Sequence, residues 1–282
     1  MGVKVLTDST SYILPELARD LDITVIPLSV QFPDESFKET EVDFNYFYAK
    51  IKKDNVIPVS SQPSLGDITT AFENIVAKGD DVVAVFISSE MSGTYHSALT
   101  AKQIILEKYP HAAIEIIDSR TNCMALGLPV IEAARIAKAG HSLENVAEKA
   151  KHIIQRVNFC FIPAGLEYLR KGGRIGGAAA LLGSILKITP ILFVEKGKTA
   201  VLKKARGYRT ALEDMLARVD KDFINCGLNH VVVHHIQCHA RGMELAERLK
   251  EKYGFEVPVV PIGPVIGLHV GPGAIGIVYS TV

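Results

Sequence analysis

The sequence predicts an α/β protein in two parts: a three-layer α/β/α domain on a parallel sheet, then a smaller α/β domain with a mixed sheet. Three observations predict it. Through the first half of the 282 residues, short apolar runs alternate with stretches of helical period, the rhythm of parallel strands joined by crossover helices. In the second half, two strand-like runs flank Glu195-Lys196-Gly197-Lys198, which reads as a hairpin and makes the second sheet mixed. Apolar residues reach 48% of the chain, enough to bury a full core and to argue against disorder. The change of rhythm places a boundary near Asn158, giving domains 1–157 and 158–282.

The elements follow in order. "VKVLTDS" and "TVIPLSVQF" read as the first two strands. "DITTAFENIVAKG" reads as a helix, with Ile68, Ala71, Phe72, Ile75 and Val76 on one face and Gly79 past its end. "DVVAVFIS" is a buried strand, "GTYHSALTAKQIILEKY" a helix, "AIEIIDS" a strand and "LPVIEAARIAKAG" a helix. Ser142 has the chemistry of an N-cap for "LENVAEKAKHIIQRV". Beyond the hairpin come the helix "RTALEDMLARVDKDF", the strand "HVVVHHIQC", the helix "GMELAERLKEKYG", and two final strand-like runs, "VPVVPIG" and "GAIGIVYSTV". No 20–50-residue repeat and no low-complexity segment interrupts them.

Charge excludes some partners. The 31 basic and 31 acidic residues balance, whereas nucleic acid or an anionic membrane favours a basic excess. No run approaches the roughly 18 apolar residues of a membrane span, and "MGVKVLTDSTS" lacks the apolar core of a signal peptide. Leu6 stands where an N-acylation signal needs Ser or Thr. Cys123, Cys160, Cys226 and Cys238 form no Cys-x-x-Cys pair. These features point to a cytoplasmic protein in a reducing compartment without stable membrane insertion.

Ligands of open α/β sheets lie outside the carboxyl ends of the strands. Four polar clusters fall at such ends: Thr7-Asp8-Ser9-Thr10, Ser60-Ser61-Gln62-Pro63-Ser64, Ser88-Ser89 with Ser92-Gly93-Thr94, and Asp118-Ser119. Any one of them reads equally well as a helix cap; four on one edge read better as a hydroxyl-rich pocket. The pocket is no familiar nucleotide site. There is no Gly-x-x-x-x-Gly-Lys-Ser/Thr loop, and "GGRIGG" at 172–177 has no strand before it. A nucleophile elbow, Gly-x-Ser-x-Gly, is missing too. Near the C-terminus, Gly267, Gly271, Gly273 and Gly276 frame a lone His269. A lone histidine is more often a satisfied core residue, but glycines that admit a close approach favour a ligand. His234, His235, Cys238 and His239 resemble metal ligands in composition only, because 234 and 235 point to opposite faces of a strand. Arg170, Lys171 and Arg174 precede a small-residue and Leu-rich segment and suit a helix C-terminus.

Taken together, "TDST", "SSQPS", "SSEMSGTYHSA", "IDSRTNCMALG", "YLRKGGRI" and "PVIGLHVGPGAIG" resemble the DegV family in order and spacing over nearly the whole chain. The resemblance implies a long-chain fatty acid held between the two domains. It also implies that the protein is not itself an enzyme but the substrate-carrying subunit of a bacterial fatty acid kinase, whose separate ATP-binding subunit phosphorylates the acyl carboxylate for phospholipid metabolism. Carried onto this sequence, Ser92 and the Gly93 amide would bind the carboxylate, with a further hydroxyl from Ser60 or Ser61; the family usually has Thr at the first of these. His269 would reach it from the second domain, and Arg174 and Arg206 would dock the kinase subunit. No cofactor and no metal is expected. Hydroxyls, an amide and an imidazole can satisfy a buried anion without an arginine fork. A ~16-carbon tail at about 0.8 kcal/mol per methylene offers on the order of 10 kcal/mol gross. Phe161, Ile162, Leu166, Leu181, Leu182 and Ile266 are candidates for the tunnel wall. The competing reading is a stand-alone enzyme, either a hydrolase using Ser92 with His269 or a small-molecule phosphotransferase.

Overall fold

The structure is a computed structural model that describes residues 2–182 and 188–282. The end of the small-residue and Leu-rich segment, 183–187, lies outside the described residues. The chain divides into two compact units. Unit 1 comprises Met1–Gln31, Ser36–Glu41 and Ser60–Gln155; unit 2 comprises Phe32–Glu35, Val42–Val59 and Arg156–Val282. The expected division at Asn158 was continuous, whereas the units are interleaved.

Unit 1 begins with β1 (Val3–Asp8), α1 (Pro15–Asp20), β2 (Ile23–Ile26), β3 (Ser29–Gln31) and β4 (Ser36–Lys38). The chain then enters unit 2 for α2 (Phe44–Asp54) and returns along β5 (Val59–Ser61). It continues through α3 (Leu65–Val76), β6 (Asp81–Phe86), α4 (Thr94–Lys108), β7 (Ile114–Asp118), α5 (Met124–Lys138) and α6 (Leu143–Ile154). The main sheet has the order β2-β1-β6-β7 and is parallel throughout. On one face Leu6, Ala84 and Phe86 pack with Ile68 and Phe72 of α3 and with Ala98 and Ile105 of α4. Helices α5 and α6 pack on the sheet as well, α5 on β1 and α6 on β6 and β7. A small sheet, β4-β3-β5, completes the unit.

The run "TVIPLSVQF", expected as one strand, is two. Pro27 has no N–H for a ladder, so β2 ends at Ile26, and β3 pairs instead with β4. The helix expected from Leu128 begins at Met124 and carries Pro129 inside it.

Unit 2 adds β8 (Val157–Ile162), α7 (Glu167–Lys171), β9 (Thr189–Glu195), β10 (Lys198–Ala205), α8 (Tyr208–Cys226) and β11 (Leu228–His235). It ends with α9 (His239–Tyr253), β12 (Val259–Pro261), α10 (Pro264–Val270) and β13 (Ile275–Thr281). Its sheet runs β10-β9-β8-β13-β11-β12, antiparallel except for β11 beside β12. The expected hairpin is present: Lys198 pairs with Glu195, and both linking residues, Lys196 and Gly197, have positive φ (49° and 84°), as a tight two-residue turn requires. One face of the sheet buries Cys160, Ile162, Val233, Ile275 and Ile277 against Met215 of α8 and Leu245 and Leu249 of α9.

Helix α2 belongs to this unit because of what its apolar side chains meet. The Phe47 ring lies edge-on to Phe32 at 5.6 Å, and the Tyr48 hydroxyl donates to the carbonyls of Ile262 and Gly263, each at 3.3 Å. Lys50 is ringed by Asp34, Glu35 and Asp54 at 2.8–3.0 Å.

Candidate functional site

In unit 1 the carboxyl ends of β1 and β7 are occupied by acidic side chains of the protein itself. Asp8 is fully buried. Its carboxylate accepts from the Ile87 amide at 2.8 Å, from the Thr10 amide at 2.9 Å and from the Thr10 hydroxyl. Burial pushes its pKa up, and these three donors pull against that rise. Glu39, 2% exposed, accepts from the hydroxyls of Ser9 and Tyr12. Asp118 accepts from the Ser89 hydroxyl, from the Ser89 amide at 3.1 Å and from the Arg120 amide at 2.9 Å. The Arg120 guanidinium closes over this pair, 3.1 Å from the Ser89 hydroxyl and 3.4 Å from Asp118. Two of the four expected clusters, those at residues 7–10 and 118–119, are thus engaged in internal bonding.

In the other two, Ser88 and Thr94 are also fully buried, whereas Ser92, Ser60 and Ser61 are more exposed. Helix α4 starts at Gly93, whose φ of −75° is ordinary and which offers no side-chain cap. Ser92, half-buried just before it, has its hydroxyl 2.9 Å from that of Thr94 and accepts from the Thr94 amide at 3.3 Å. Its backbone N–H donates to the Ser88 carbonyl at 3.1 Å, which fixes the turn. A helix N-terminus with a hydroxyl at its mouth is an anion-binding device. The hydroxyl that neighbours the Ser92 hydroxyl is not a base that could activate it. Strand β5 presents Ser60, half-buried, and Ser61, exposed. Gln62 follows and reaches α4, its amide donating to the Ser97 hydroxyl at 2.6 Å. Nothing in the sequence pattern singled out Gln62 within "SSQPS", nor Glu39, which has no motif around it.

In unit 2, α10 carries His269 and is flanked by side chains that its glycines admit. A Cβ on Gly267 would lie 1.7 Å from the Tyr48 hydroxyl, and one on Gly172 would lie 2.0 Å from Nδ1 of His269. The His269 ring therefore rests on the backbone at the end of α7. It is 8% exposed, and burial, with a smaller contribution from the positive charge of Arg174, lowers its pKa to about 4. At neutral pH it is an uncharged imidazole with one N–H to donate. Arg174 and Arg206 are both exposed, and Arg174 donates to the Gly172 carbonyl at 2.7 Å.

The apolar candidates separate. Ile162 points into the core under α8 and α9, while Phe161 sits on the other face beside Phe159. Leu181 and Ile266 are buried, Leu166 is half-buried, and Leu182 is 44% exposed. His234 and His235 point to opposite faces, as the strand period requires. His234 bonds the Val260 carbonyl at 2.9 Å and lies beside the Phe159 ring, whereas His235 meets His239 at 3.3 Å. Among the described residues no group of three His, Cys, Asp or Glu is placed to hold a metal ion, and no helix is long and apolar enough to cross a membrane.

Comparison with known proteins follows the same lines. A family model described as "Uncharacterised protein, DegV family" matches residues 2–282. A DegV domain-containing protein of Clostridium acetobutylicum is 50% identical over 281 residues, covering 100% of this chain and 98% of its own. The crystal structure of DegV from Bacillus subtilis, described as a fatty acid binding protein, superposes with a TM-score of 0.90 at 32% identity over 100% of both chains. A stearic-acid-binding protein from Eubacterium ventriosum gives a TM-score of 0.89 at 26% identity, covering 99% of this chain and 98% of its own.

Proposed function

The chain belongs to the DegV family, and from that premise we propose that it binds a long-chain fatty acid and presents the carboxylate to an ATP-dependent kinase subunit. The observation that carries the binding step is the Ser92–Gly93 start of α4, a helix N-terminus with a hydroxyl at its mouth and a glycine at the cap position, in a chain that matches a fatty acid binding protein along its full length. Ser92 and the Gly93 amide hold one carboxylate oxygen, and Ser60 or Ser61 supplies a further hydroxyl. His269 gives an N–H from an imidazole that burial keeps neutral. Each of these groups donates without adding a positive charge.

That choice suits a carboxylate that must later attack a phosphorus atom, because a guanidinium fork would hold its lone pairs and lower its nucleophilicity. The protein then contributes binding and orientation, and the kinase contributes ATP and the transfer. Arg174 and Arg206, both exposed, are the residues proposed to meet the kinase. Affinity comes from the tail: about 0.8 kcal/mol per methylene over ~16 carbons gives on the order of 10 kcal/mol before association costs.

Denaturing mass spectrometry of protein purified from a bacterial host tests the binding step. A co-released long-chain acyl group is expected. Empty protein that also takes up neither palmitate nor oleate overturns it. For the presentation step, acyl phosphate should form from ATP only when a kinase subunit is added; turnover by the isolated chain would favour a self-sufficient enzyme instead.

A further inference from the structure

We propose that Gln62 is a specificity-determining residue of the carboxylate site, reading the charge of the head group through the orientation of its amide; this inference rests on the fatty acid reading above. Gln62 follows directly on β5, the strand that presents Ser60 and Ser61, and spans to the first turns of α4. Its Nε2 donates to the Ser97 hydroxyl at 2.6 Å. Its Oε1 lies over Gly93, only 2.1 Å from where a Cβ on that residue would be. The carboxamide therefore lies over Gly93 at the start of α4, next to the residue whose amide is proposed to hold the ligand. Glycine at 93 has a reason other than backbone freedom: its φ is −75°, so what a side chain there would displace is Gln62.

The Ser97 partner makes the amide reversible. A hydroxyl both accepts and donates, so a 180° turn of the carboxamide exchanges Nε2–H···Oγ for Oγ–H···Oε1 and keeps the bond. The turn exchanges what faces Gly93. With Oε1 there, the helix start meets an acceptor, which suits an empty site or a neutral head group. With Nε2 there, it meets two N–H donors, which suit a carboxylate. Gln62 thus adds a charge-sensitive donor to the site, still without a cation.

Two variants separate this role from that of a simple brace. In Gln62→Glu the side chain keeps its length but offers only acceptors when ionised. In Gln62→Ala both the brace and the donor are gone. Each is loaded with palmitate, methyl palmitate or hexadecanol, and the bound lipid is measured after gel filtration. Relative to the wild type, the ratio of palmitate to methyl palmitate retained should fall about tenfold in Gln62→Glu, the size expected for losing a hydrogen bond to a charged group, and less in Gln62→Ala. If all three lipids fall together, or none changes, Gln62 is at most a brace and the inference is overturned. If the wild type retains no lipid, it is the fatty acid reading that fails. Because Gln62 is exposed and lies outside the helices and strands, both variants should melt within a few degrees of the wild type, which circular dichroism checks.

Discussion

The two units bury their titratable side chains by opposite means. Unit 1 takes in carboxylates and meets them with amides and hydroxyls: Asp8 with Ile87 and Thr10, Glu39 with Ser9 and Tyr12. Unit 2 takes in histidines and keeps them uncharged: His234 and His269 both have pKa values lowered to about 4, chiefly by burial. Unit 1 thus meets Asp8 and Glu39 with amides and hydroxyls, and unit 2 keeps His234 and His269 uncharged near neutral pH. The start of α4 offers groups of the same chemical kind, the hydroxyls of Ser92 and Thr94 and backbone amides, which is why the proposed acidic head group is placed in unit 1.

The largest effect should come from removing one of the internal acids. Asp8→Ala leaves two amides and a hydroxyl buried without an acceptor and should cost about 3 kcal/mol or more in urea unfolding. A loss below about 1 kcal/mol would mean that these donors find other partners and that the comparison overstates their need.

Acid should act on unit 2 next. The folded-state pKa values of His234 and His269 lie below the ordinary 6.5, at about 4, so the unfolded chain takes up protons first. Their contribution is present above pH 6.5 and is lost as pH falls towards 4, by up to roughly 3 kcal/mol per histidine. Asp8 has the opposite sign. Its pKa is raised, so it favours the fold at pH below its ordinary pKa and loses that contribution as pH rises through the raised value. Urea midpoints from pH 7 to 4 should therefore drop, and less steeply in His234→Gln. An unchanged slope in that variant would remove His234 from the account.

Gly93→Ala should be milder. Its φ is compatible with alanine, so the cost is that of displacing Gln62, about 1 kcal/mol or less in thermal melts. Smallest of all for stability is Ser92→Ala, within about 1 kcal/mol as for a lost cap. Retained palmitate should nonetheless fall about tenfold, as for a lost hydrogen bond to a charged group. A Ser92→Ala protein that keeps its lipid would move the head group elsewhere.

The sequence made the alternation of unit 1 legible because Val82–Phe86 and Ile68–Val76 carry clean periods. The hairpin was legible because Lys196-Gly197 tolerates positive φ. What escaped has physical causes. Helix α2 has only Phe47, Tyr48 and Ile51 buried, and its partners Ile262 and Gly263 lie more than two hundred residues away. Strand β8, "VNFCFI", is obscured in the sequence because the helical pattern of α6 continues into Val157. At the candidate site, Ser92 stands out by its place between strand and helix, whereas Gln62 is set apart only by the space its amide takes over Gly93, which no spacing rule encodes.

The interleaving of the units has a last consequence. Since α2 is supplied by the first quarter of the chain but its Tyr48 bonds Ile262 and Gly263 in the last, no single cut separates the two units. A fragment ending at Gln155 would carry Tyr48 without the carbonyls its hydroxyl bonds, and its complement would expose the ledge on α10 where that hydroxyl belongs. Nascent chain emerging from a ribosome faces the same situation: the Tyr48 hydroxyl, made early, must wait for its acceptors until the final residues arrive.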